Sequence, residues 1–372
     1  RSQAGLVKYK PNKILYISAQ GHADYLFQNR LWGHEQQRSH PGFTGRTPME
    51  RMLAAGYPSR HNSENVSSHS GMAGPAKSIN GLMSAIYHRF GFLSFDYDEV
   101  GIGHKADESF HSYVYNMGNS SKTALCSAPE EEVITGQYVF RVCADESKKI
   151  KAGIFDKALK DVQLKNASIV VWPPQGGENI PPAFYDEAPD PLPNHDVSGY
   201  PVSVQFNPVF FKEAAPVVTR FELFRLADET PVPLLARFDQ KKDINQKFTA
   251  YVHAVFRQYR LDWNTVYKVE LEYLTADKRQ HQLDWQFKTA SFEMPFYMVN
   301  GGEVIAEEQP VFAVYSPPVS KNDGRSEYQV SFLGFNDVKV AIVDAHTLII
   351  SPVGNRGQAT FDFHGKRFKV VR

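Results

Sequence analysis

At 372 residues the chain exceeds what one hydrophobic core usually organises, and 42% hydrophobic residues can furnish two or three. Forty-one Lys plus Arg balance forty-one Asp plus Glu, so no net field draws in nucleic acid or an anionic membrane, and neither is expected as a partner. No apolar run approaches the roughly 20 residues of a membrane span; the longest, 341–350, is interrupted by Asp344 and His346.

The apolar positions Ile14, Leu15, Ile17, Tyr25, Leu26 and Leu31 recur at three- and four-residue intervals and predict a helix over 13–31, with Gly33 as its stop. Thr47, Pro48 and Glu50 read as N-cap, first helical residue and capping-box partner of a second helix closed by Gly56. A third helix is expected over 76–92, with Ile79, Leu82, Met83 and Ile86 on one face. Strands follow at 100–103 and 112–117, where alternation replaces the helical period. The stretch 120–165 is charged and irregular, with short elements at 138–142 and 154–164, and reads as an elaboration of the first domain. A strand at 168–172 leads into seven prolines between 173 and 193, which read as an extended linker. Short alternating strands at 199–206, 221–226, 231–238, 265–274 and 281–289 predict a β-sandwich whose closing segments resemble bacterial immunoglobulin-like or fibronectin-like modules. Further strands at 310–316, 328–335, 338–344, 346–351 and 367–372 predict a small all-β domain over 291–372.

Eight of the thirteen histidines fall within the first 111 residues, which is where chemistry is expected. The frames HADYLFQNRLWGHE at 22–35, PGFTGRTPMERMLAAGY at 41–57, SEN at 63–65, LMSAIYHRFGFL at 82–93 and EVGIG at 99–103 together resemble the bacterial branch of the CAP superfamily, named for cysteine-rich secretory proteins, antigen 5 and pathogenesis-related 1 proteins. The resemblance covers about residues 12–118. It implies an N-terminal αβα sandwich, so the expected fold class is multidomain α+β. The expected domains are a CAP-like sandwich at 1–172 with an insertion at about 120–165, a linker at 173–194, a β-sandwich at 195–290 and the small all-β domain.

In that family a His after the first helix, a Glu in a Glu-Asn pair, a second Glu and a His before a Val-Gly-x-Gly strand build a cleft. The resemblance places His34, Glu64 and His88 in three of these positions, while the second glutamate would align near Ala85, leaving a gap for Glu35 or a water to fill. His40 competes with His34. His22, Asn65, Tyr87 and Arg89 are expected to line or back the cleft, and Tyr25 and Tyr57 are further candidates. Two imidazoles and a carboxylate suit zinc or another divalent ion, and equally a polar network with no metal. Arg89 beside His88 would disfavour a charged imidazole.

Cys126 and Cys143 read either as one disulfide of an oxidising compartment or as two unrelated thiols; the export of bacterial CAP proteins favours the disulfide. A chain beginning at Arg1 without a leader fits a protein trimmed of its export signal or a segment of something longer. No GxSxG elbow, Walker loop or HExxH motif is present. The expected function is therefore binding of a small-molecule, lipid or peptide ligand, a cell-envelope polymer or a divalent metal in an extracellular or periplasmic setting, with the β modules as spacers or adhesion parts. The rivals are a metal-dependent hydrolase with Glu64 as general base, and a structural envelope protein without catalysis.

Overall fold

The computed structural model describes residues 1–70, 74–129, 135–185, 187–195, 197–317, 330–333, 338–344, 346–352 and 357–371. The expected strand at 328–335 lies partly outside these residues. The N-terminal module contains β1 (Lys10–Pro11), α1 (Lys13–Asn29), α2 (Pro48–Ala54), β2 (Asn62–Ser70), α3 (Pro75–Ser84), α4 (Ile86–Phe92), β3 (Glu99–Ala106) and β4 (Phe110–Gly118), followed by α5 (Ser120–Ser127), β5 (Tyr138–Val139), β6 (Ile150–Lys151) and α6 (Ala152–Gln163). Its main sheet runs β1-β3-β4-β2, so β2 is an outer strand.

Local chemistry sets several of these elements. Asn12 caps α1 by accepting from Ile14 N and Leu15 N, and the chain leaves the helix through Arg30 in the left-handed region, before the expected stop at Gly33. Thr47 and Glu50 form a reciprocal capping box at α2. The buried face of α1 includes the small residues Ser18, Ala19 and Ala23. It rests on Gly101 and Gly103 of β3, where a side chain would collide with the backbone of Tyr16 and of Ala19. The glycines of the EVGIG segment thus let a helix backbone lie directly on the strand.

The expected αβα sandwich is corrected. Strands hold 39% of the residues and helices 19%. α1 covers one face of the first sheet, packing Ala19, Ala23 and Leu26 with Val114. The other face has no continuous helical layer: the expected helix over 76–92 breaks at Ala85, whose ψ is 117°, into segments of ten and seven residues. The remaining cover comes from Ala4, Leu6, Val170 and Trp172, the last two belonging to a strand of the next module.

That strand is β7 (Ile169–Trp172). With β8 (Gly177–Ile180), β9 (Ala183–Phe184), β10 (Ser198–Phe206), β11 (Val217–Arg225), β12 (Thr230–Pro231), β13 (Leu234–Phe238), β14 (Val252–Arg257), β15 (Val266–Leu274) and β16 (Gln280–Thr289), it builds two sheets, β13-β14-β10-β7 with β9 beside β10, and β12-β11-β15-β16-β8. Val202, Val204, Phe206, Leu223, Val269, Leu271 and Trp285 fill the space between them. The proline-rich stretch is therefore not a free linker: β8 pairs with β16 and β9 with β10, at positions where prolines between the paired residues cost no ladder bond. All nine residues of β10 are buried, because its outer sheet face packs Phe184, Phe238 and Phe256 against Ile86, Tyr87 and Phe90 of α4.

The third module contains β17 (Phe296–Met298), β18 (Val304–Ala306), β19 (Phe312–Tyr315), β20 (Val330–Leu333), β21 (Val338–Asp344), β22 (Thr347–Pro352), β23 (Gln358–Phe363) and β24 (Lys366–Val371). Two four-stranded sheets, β17-β19-β22-β21 and β18-β24-β23-β20, close over Phe312, Leu348, Ile350, Phe361 and Phe368. No helix among the described residues is long and apolar enough to cross a membrane.

Candidate functional site

The site is built across the open edge of β2. Successive strand residues point to opposite faces, so Glu64 turns toward the α1 side and Asn65 toward α4. Glu64 accepts from His34 Nδ1 at 2.9 Å and from Arg51 Nη2 at 2.8 Å on each of its oxygens. Asn65 donates to the backbone carbonyl of His88 at 2.8 Å and fills the space beside Gly91. One histidine from each layer thus reaches the strand edge, and the rings of His34 and His88 lie 6.4 Å apart and nearly parallel, at 14°.

His88 is matched to a carboxylate absent from the sequence reading. Its Nδ1 donates to Glu187 Oε2 at 3.0 Å, and the same carboxylate accepts from Tyr87 N at 3.1 and 3.2 Å. Glu187, from the proline-rich stretch, therefore caps the first turn of α4 and orients its histidine in one interaction. Both pairs share one logic: a carboxylate with a side chain only 1% exposed fixes Nδ1–H, leaving Nε2 as the nitrogen with a lone pair. The His34 side chain is 41% exposed and that of His88 18%.

Glu64 is an ionised, immobilised group. Burial pushes its pKa up, but the His34 hydrogen bond and the charges of Arg51 and His22 outweigh this and hold it below the usual carboxylate value. With Arg51 Nη2 on both oxygens and its pKa held down, the carboxylate is a weak proton acceptor. His22 is fully buried behind it, accepting from Gln36 Nε2 at 2.9 Å and donating through Nε2 to Gly33 O at 3.1 Å. Burial lowers its pKa to about 4, against the pull of Glu64.

Other expected members lie elsewhere. Glu35 is exposed and paired with Arg46 at 3.3 Å, so it does not fill the gap now occupied by Glu187. His40 stacks on Tyr25 and bonds its hydroxyl at 3.1 Å. Tyr57 lies against Gly118, two residues along β4 from the Glu64 partner Asn116, and bonds Glu99 and Thr123 rather than the histidines. Arg89 turns away from His88: its guanidinium, fully buried, donates to Met83 O, Pro201 O and Ser203 Oγ at 2.7, 2.8 and 3.1 Å, fastening α4 to β10. Tyr87 reaches the second module, donating to Asp243 at 2.5 Å. Cys126 and Cys143 are joined in a disulfide. Among the described residues, no group of three or more His, Cys, Asp or Glu is arranged to hold a metal ion.

No protein-family model matches the chain, and no curated protein does so. Among solved structures, the chain is similar to an extracellular protein containing an SCP domain from Bacillus anthracis str. Ames, at 18% identity over 31% of this chain and 35% of that one, with a TM-score of 0.26. It is similar to the N-terminal part of the bacterial S-layer protein SbsC at 12% identity over 60% of this chain and 50% of that one, TM-score 0.23. It is also similar to fibronectin(III)-like modules of Clostridium thermocellum CbhA at 9% identity over 55% of this chain and 93% of that one, TM-score 0.17. At these scores the likenesses carry no functional argument.

Proposed function

We propose that the His34–His88 groove is a ligand-binding site, outside the cytoplasm, for a divalent cation with exchangeable partners, and that the β modules position it rather than take part in chemistry. The observation that carries this reading is the pair of buried carboxylates, each holding one imidazole by Nδ1. That is the outer-shell arrangement that fixes the tautomer and direction of metal-ligating histidines. His34 and His88 would hold the ion through Nε2, and an ion there supplies a Lewis acid for a ligand oxygen. Two imidazoles fit an open site with water or ligand in the other positions, and two protein donors rather than three or four favour weak, exchangeable binding. The Arg51 clamp on Glu64 speaks against the hydrolase alternative, and the disulfide suits an oxidising compartment.

Calorimetric titration of metal-stripped protein with zinc at neutral pH tests this. Binding by wild type that is lost in His34→Ala/His88→Ala supports the reading. A folded wild type that takes up no zinc, cobalt or manganese overturns it.

A further inference from the structure

A second concavity, of about 510 Å³, opens where the second module meets the third. Trp263 comes from the connection after β14, Phe292 and Phe296 from the chain entering the third module, and Tyr315 from the end of β19. Their rings form a continuous run: Trp263 to Phe292 at 4.8 Å, Phe292 to Phe296 at 5.5 Å and Phe296 to Tyr315 at 6.3 Å. Phe296 is 36% exposed and neighbouring Met298 57%. Apolar surface left open in this density, beside polar groups, is the signature of a binding cleft rather than of scattered surface residues.

The polar groups are of a particular kind. The Arg260 guanidinium sits 4.1 Å from the Tyr315 ring centre and 5.2 Å from that of Trp263. Its side chain is 9% exposed and its nearest charge, Asp344, is 3.6 Å away. Tyr315 and Asp344 meet its charge, yet none of its three nitrogens makes a well-formed hydrogen bond, and Trp263 Nε1 has no acceptor. Buried donors without acceptors are uncommon and costly. At the rim, Asp262 and Asn264 are exposed and add acceptors and a carboxamide donor.

We propose that this aromatic cleft binds a saccharide chain. A pyranose ring offers a flat C–H face to an aromatic ring and, around its edge, hydroxyls that both donate and accept. That combination meets the rings, the guanidinium, the carboxylate and the carboxamide together. A proline-rich peptide offers carbonyl acceptors but few donors around its rings, and an acyl chain offers no acceptor to Arg260 or Trp263 Nε1.

The test is titration of the full chain with cellohexaose, chitohexaose and mannohexaose, followed by tryptophan fluorescence and calorimetry, with a proline-rich peptide in parallel. At least one saccharide should saturate, and Trp263→Ala should weaken it about tenfold or more. Phe296→Ala, whose exposed ring can be removed without opening a core, should weaken it comparably while keeping the wild-type unfolding midpoint. Phe210→Ala, an exposed ring elsewhere on the second module, should leave it unchanged. Saturation by no saccharide, saturation by the peptide alone, or saccharide binding that survives both Trp263→Ala and Phe296→Ala overturns the proposal.

Discussion

His88 and Glu187 stand 99 residues apart in the chain and meet at 3.0 Å. The second module's leading segment thereby completes a site whose other parts lie in the first. Replacing Glu187 by Gln keeps the shape but removes the charge that sets the ring's tautomer, and should weaken zinc binding by about tenfold or more. Calorimetry on Glu187→Gln beside wild type checks this; equal affinities would reduce Glu187 to a helix cap.

Arg51 and Glu64 are a buried ion pair with side chains 0% and 1% exposed. Arg51→Met strands a buried carboxylate and should destabilise the protein by about 3–5 kcal/mol. Arg51→Met combined with Glu64→Leu removes both charges and should recover most of that loss. Urea unfolding of the three proteins measures the difference.

Gly103 lies against the backbone of Ala19 with no room for a methyl group. Gly103→Ala should force α1 off β3 and cost about 3 kcal/mol or more. A thermal scan reads the loss directly, whereas Gly81→Ala, at a helical position with open space around it, should be tolerated.

Burial holds His22, His61 and His253 down to about 4, from an ordinary 6.5. Between those values the unfolded chain binds protons that the folded chain refuses, so stability rises with pH across this window. It is complete above about 6.5 and falls as pH drops toward 4, each histidine contributing a slope of up to about 1.4 kcal/mol per pH unit. The urea midpoint should fall between pH 7 and pH 5, and a flat profile would contradict the burial of these rings.

The Cys126–Cys143 bridge spans 17 residues. Replacing both by Ser should cost about 3 kcal/mol through the freed unfolded chain. Comparing denaturation of that variant with wild type, both under non-reducing conditions, tests it.

What the sequence disclosed was local. Thr47, Pro48 and Glu50 announce α2 because a capping box is written in four consecutive residues. The short frames around His34, Glu64 and His88 placed three site residues by family likeness, and the structure brings them together. β2 was not legible: NSENVSSHS is polar and lacks a β-branched alternation, and it is strand because β4 pairs with it along its whole length. Arg51 drew no reading from the sequence, because its partner Glu64 lies on another element. Glu187 carried no signal, since its partners are distant and its proline-rich surroundings suggest a tether. The break at Ala85 was hidden too, because the apolar face runs through it.

Arg89 makes the trimming of this protein hazardous. A gene shortened at 172, where the prolines begin, would seem to release a tidy N-terminal domain. It would instead leave a fully buried guanidinium without Pro201 and Ser203, bare the apolar side of α4 and remove the carboxylate from His88. The first two modules therefore belong together in any expressed fragment, because each supplies partners for buried polar groups of the other.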